Sequence, residues 1–139
     1  MGTRQRSREL ALQALFQLDF NKNNLLDAVE LFCKNFEVSK SARPFFSRLV
    51  EGVLQHKNDI DQLIERFSSN WKISRMSRVD RNIMRIAAFE LLYCDDIPFK
   101  VSINEAVNIG KKYGTKESGA FINGILDSIH AFSSARPTI

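Results

Sequence analysis

The segment Val79–Cys94, VDRNIMRIAAFELLYC, carries apolar residues on nearly every side of a helical projection: Val79, Ile83, Met84, Ile86, Ala87, Ala88, Phe89, Leu91 and Leu92. A helix apolar almost all round has no face to leave in water, so it belongs at the centre of a fold and other elements must cover it. Ser77, with Asp80 three residues later, has the form of a capping box that starts this helix. The rest of the chain reads as its cover.

That cover is helical as well. Leu10, Ala11, Ala14, Leu15 and Leu18 fall on one stripe of a first helix running from Arg4 to Leu18, and Leu12, Phe16 and Phe20 fall on another. After an Asn-rich turn at Asn21–Asn24, the residues Leu25, Val29, Phe32, Cys33 and Phe36 predict a second helix. Pro44 suits a first helical turn, and Phe45, Phe46, Leu49, Val50, Val53 and Leu54 recur at the spacing of a buried face. Ile60, Leu63, Ile64 and Phe67 predict a fourth helix, with Asn58 or Asp59 as its cap and Ser68-Ser69-Asn70 as its end. Beyond the central segment, Ser102 and Glu105 read as a second capping box ahead of an apolar face of Ile103, Ala106, Val107 and Tyr113, with Gly114 as a left-handed stop. Ser118 opens a last helix with Ile122, Ile125, Leu126 and Ile129 inward. Six or seven helices and no strands predict an all-α bundle around the segment from Ser77 to Cys94.

A chain of 139 residues is long enough to bury one sizeable core without disulfides or metal. Its two cysteines, Cys33 and Cys94, lie among apolar neighbours and predict buried thiols in a reducing compartment. Two isolated histidines, His56 and His130, do not make a zinc pattern, so no metal or other cofactor is expected. No signal-peptide pattern and no window of membrane-span length is present, which predicts a cytoplasmic protein without a membrane partner. GKKYGT, from Gly110, lacks the spacing of a phosphate loop and reads as a helix end; Asp95-Asp96 reads as a solvated turn. No arrangement of nucleophile, base or paired carboxylates marks an enzyme.

The net charge of +4 permits an anionic partner, and placement narrows the choice. Arg4, Arg6 and Arg8 stand at alternate positions, a spacing that cannot form one stripe on a regular helix. Such a run is either a solvated basic terminus or a segment that moulds itself to RNA, since guanidinium groups pair well with phosphates. Phe16, opposite the main apolar stripe, suits either stacking on an unpaired base or a second core contact. Arg78, Arg81 and Arg85 share one face of the central helix and read as a charged rim. Phe121 lies at the edge of the last apolar stripe, shortly after Lys111, Lys112 and Lys116.

Two stretches, SRVDRNIMRIAAFELLYCDDIPFKVSINEAVNIGKKYG (Ser77–Gly114) and ESGAFINGILDSI (Glu117–Ile129), resemble the NusB family of bacterial transcription antitermination factors. So does the arginine-rich opening followed by ELALQALFQ. The resemblance spans essentially the whole chain, residues 1–139, as a single domain. It implies an all-helical fold of about seven helices in two packed subdomains and no enzymatic activity. It further implies binding of boxA single-stranded RNA together with NusE, a small-subunit ribosomal protein, within the RNA polymerase antitermination complex on ribosomal RNA operons. On this resemblance Arg4, Arg6, Arg8, Phe16 and Phe121 are expected to contact RNA, and Asp80 and Glu117 to contact NusE. Phe16 stands where the family often has tyrosine, so stacking survives without a hydroxyl. A homodimer covering the RNA surface is implied for some members. The competing expectation is a protein-binding scaffold whose basic terminus is incidental; an accessory domain of an RNA methyltransferase is set aside because no glycine-rich cofactor segment follows.

Overall fold

The computed structural model describes residues 2–19, 30, 32–34, 38–69 and 71–134. Five long helices are placed among them: α1 (Thr3–Leu18), α2 (Arg43–Phe67), α3 (Arg78–Tyr93), α4 (Phe99–Tyr113) and α5 (Ser118–Ser134). A short 3-10 turn, Ile73–Arg75, leads from α2 into α3. No strand occurs among the described residues, as the periodicity predicts. Glu30 and residues 32–34 are helical, and Phe32 and Cys33 are buried. The remainder of the predicted second helix, including Leu25, Val29 and Phe36, lies outside the described residues, as do Phe20, Asn21–Asn24 and Asn70.

Helix α3 occupies the centre. Every residue from Asn82 to Glu90 is buried, and α3 packs against all four of the other long helices, α1, α2, α4 and α5. The Ser77 hydroxyl accepts the Asp80 amide hydrogen at 3.0 Å, which satisfies one of the donors a helix start leaves open. Gly52 of α2 lets the two helices close up, because a Cβ there would lie 2.2 Å from the Phe89 ring.

Three predicted boundaries differ from the structure. The break expected at Asn58 or Asp59 is a kink two residues earlier: α2 continues to Phe67, with His56 at φ −109° and ψ 16°. The His56 ring stacks on Tyr93 of α3, with centroids 3.9 Å apart. Ser102 does not cap α4, which begins a turn earlier after Pro98. Its hydroxyl instead donates to the buried Glu90 carboxylate at 2.8 Å, a partner that no local pattern announces. Gly114 does end α4, but with φ −94° it is not left-handed. Glycine is needed there for space, since a Cβ would meet the Ser118 hydroxyl at 2.3 Å and the Gly110 carbonyl at 2.7 Å.

Candidate nucleic-acid interface

All three N-terminal arginines lie in regular helix, because α1 begins at Thr3 and the Arg6 amide already donates to the Gly2 carbonyl. The helical turn therefore separates them. Arg8 is only 3% exposed. Its Nε donates to Glu90 Oε2 at 2.9 Å and its Nη2 to Oε1 at 2.7 Å, a two-point pairing inside the core. Arg8, expected on the resemblance to contact RNA, is here buried and anchors α1 on α3. Arg4, one turn earlier on the same side, stacks its guanidinium over Phe45 at 4.6 Å and faces Asp96 at 3.6 Å, yet stays half exposed. Asp96 is held to about 2, chiefly by hydrogen bonds from the Arg48 guanidinium, so it stays anionic between two arginines.

Arg6 points elsewhere. With Glu9, Leu12, Gln13 and Phe16 it lines an open groove of about 310 Å³, completed by Val79 of α3 and Tyr113 of α4. Arg6 is exposed, Phe16 is half-buried and Leu12 is buried at the floor. Residues 6, 9, 13 and 16 follow the three- and four-residue spacing of one helical face, which brings Arg6 and Phe16 together although ten positions separate them. Tyr113, 46% exposed, was missed as a member of this groove, because its spacing from Ala106 reads as part of the apolar face of its helix.

A short path leads from Val79 to the junction of α4 and α5. Asp80 accepts the Ser118 hydroxyl at 2.7 Å, while Ser118 accepts the Thr115 amide at 2.8 Å, so the start of α5 is tied to the start of α3. Glu117 stands exposed at this junction and accepts a bond from the Thr115 hydroxyl at 3.3 Å. One turn into α5, half-buried Phe121 meets Trp71 edge to face, with centroids 5.8 Å apart. Trp71 is half exposed and was also missed.

The predicted charged rim is corrected too. Arg85 is buried, donating twice to Asp61 at 2.8 and 2.9 Å and once to Asp19 at 3.3 Å. Asp19 also accepts from Asn82 at 2.8 Å and from Arg81 at 3.2 Å. Burial acts to raise the Asp19 pKa, but the Asn82 hydrogen bond and the charges of Arg85 and Arg81 outweigh it and hold the group below the usual carboxylate value. The buried cysteines are free thiols, and burial pushes Cys94 up to about 11.

The described residues thus form a strand-free helical protein in which Arg6, Phe16 and Tyr113 line a groove on one open face. The pattern of the NusB family matches residues 5–131, and the chain belongs to the NusB family. It is 58% identical over 130 residues to the transcription antitermination protein NusB of Desulfatibacillum aliphaticivorans, covering 94% of this chain and 91% of that protein. Among solved structures it resembles T. maritima NusB with a TM-score of 0.84 and 40% identity, covering 92% of this chain and 90% of the other. It also matches a chain from the crystal structure of antitermination factors NusB and NusE in complex with dsRNA, with a TM-score of 0.84, 25% identity and coverage of 94% and 97%.

Proposed function

We propose that this protein is a transcription antitermination factor that binds boxA RNA together with NusE. It acts without catalysis, in the cytoplasm, as a part of the complex that keeps RNA polymerase transcribing ribosomal RNA operons. The observation that carries this reading is the groove of Arg6 and Phe16 on the open face of α1, in a chain of this family. Arg6 supplies phosphate attraction and Phe16 an aromatic surface for an unpaired base. Phe121, paired with the exposed Trp71, extends the aromatic surface past the α4–α5 junction. Arg4 adds charge at the flank, and Arg8 holds the helix that presents the others. Asp80 and Glu117, at that junction, are the proposed contacts to NusE. No helix among the described residues is long and apolar enough to cross a membrane.

The test is a titration of labelled single-stranded boxA RNA, a scrambled strand of equal length and a boxA duplex, with and without NusE, at two salt concentrations. Selective binding of boxA that tightens with NusE is expected. Equal, strongly salt-dependent binding to all three RNAs, indifferent to NusE, would overturn the proposal in favour of a helical scaffold. Sedimentation of the free protein at matching concentrations reports whether a second copy competes for the groove.

A further inference from the structure

One polar contact in the groove is not explained by packing or by the residues proposed above. Glu9 is buried on α1, its side chain 4% exposed, and its carboxylate accepts three bonds from two residues of α4: from Lys112 Nζ at 3.1 and 3.4 Å and from the Tyr113 hydroxyl at 3.0 Å. Both donors are themselves about half exposed, 49% for the Lys112 side chain and 46% for Tyr113. A buried carboxylate thus reaches outward to fix an aromatic ring that lines the groove with Phe16, and an ammonium on the neighbouring residue of α4. The Glu9 and Tyr113 hydrogen bonds raise the Lys112 pKa, so the half-exposed ammonium stays charged and paired with Glu9.

We propose that Glu9 is a specificity-determining residue: by holding Lys112 it withholds an ammonium from RNA phosphates, and by holding Tyr113 it keeps an aromatic wall in place for one unpaired base. This inference rests on the RNA-binding reading above and deepens it. Phosphate contacts raise affinity for any sequence, whereas stacking in a shaped groove depends on a base being free to enter. A groove that turned Lys112 outward would bind more RNA with less discrimination.

The test uses the full chain with NusE, titrated with boxA RNA and with the scrambled strand across a salt series. Glu9→Gln retains the size of the side chain and an acceptor for Tyr113 but frees Lys112. Its binding of the scrambled strand should tighten, the boxA preference should narrow, and the log–log salt slope should steepen by about 0.7, the value of one added phosphate contact on a single strand. Lys112→Met alone should leave the slope of the parent unchanged, and Lys112→Met placed on Glu9→Gln should return the slope to the parent value. That rescue separates a charge effect from mere loosening of the helix pair. Tyr113→Phe, which keeps the ring but gives up its bond to Glu9, should lose part of the boxA preference, and Tyr113→Ala should lose boxA affinity severalfold. An unchanged slope and preference in Glu9→Gln, or a shallower slope in Lys112→Met alone, would overturn the inference. Arg6→Ala, run in parallel, tells the two failures apart: if it weakens binding while Glu9→Gln does nothing, only the Glu9 inference falls, and if neither variant alters RNA binding, the reading beneath it falls as well.

Discussion

Arg6 and Arg8 stand two residues apart on one helix and have opposite surroundings. Arg8 lies in the core, paired at two points with Glu90 and backed by Ser102. Arg6 is exposed, lines a groove beside Phe16 and forms no ion pair among the described residues. The same guanidinium therefore does two jobs according to its angle around α1. In the core it fixes where the helix sits; on the surface it remains available to an anion. A buried ion pair is a poor source of net stability compared with well-packed apolar residues, but losing one partner leaves the other charged and stranded. The exposed member carries no such penalty, so its removal is felt only when a ligand is present.

The largest expected effect is accordingly in the core. Arg8→Ala should destabilise the protein by about 3–5 kcal/mol, because Glu90 is left buried without its counter-charge. Urea unfolding measures it, and Arg8→Met combined with Glu90→Leu should recover much of the loss, since the pair is then removed as a unit. A small effect of Arg8→Ala would erase the distinction drawn between the two arginines.

Asp19→Asn comes next, at about 1–3 kcal/mol, since Arg81 and Arg85 lose part of a shared acceptor. Its pH dependence sharpens the point. The folded Asp19 pKa lies below its unfolded value, so its stabilisation is fully present above about pH 4 and is lost as pH falls through the depressed folded pKa. The gap in urea midpoint between the parent and Asp19→Asn should therefore be widest near neutrality and should narrow below pH 4. A gap that widens in acid would mean that Asp19 is not the anionic centre of this cluster.

On the open side, Phe16→Ala should cost about 1–3 kcal/mol of boxA affinity, the range for one stacked base. The smallest stability effect belongs to Arg6→Ala, within about 0.5 kcal/mol, although it should lower the RNA salt slope by about 0.7.

What the sequence made legible follows the same division. Helical periodicity and the Ser77 cap identified the central helix, the inward faces of α1 and α5 and the first turn of α2, because those features are local and repeat every turn. Long-range polar pairings were illegible. Glu90 is 82 positions from Arg8 and Asp19 is 66 from Arg85, and nothing within a helical window connects them. A signal was nonetheless available: Glu90 and Arg85 interrupt an otherwise apolar central helix, and a charge on such a helix demands a buried partner. Arg8, one turn before Ala11 and Leu12 on the inward side, was the place to seek one. Ser102 misled for a related reason, since its spacing to Glu105 imitates a cap while its hydroxyl answers Glu90. On the groove, type and position singled out Arg6 and Phe16, but the spacing of Tyr113 reads as a core-facing position and Trp71 sits in a connector, where no period operates.

The measurement that bears most directly on this account is a paired comparison of Arg6→Ala and Arg8→Ala, each followed by urea unfolding and by boxA titration in the presence of NusE. Arg6→Ala is expected to unfold with the parent and bind RNA more weakly with a shallower salt slope, while Arg8→Ala unfolds far earlier. A parental RNA affinity and salt slope in Arg6→Ala, or a parental unfolding midpoint in Arg8→Ala, would contradict it.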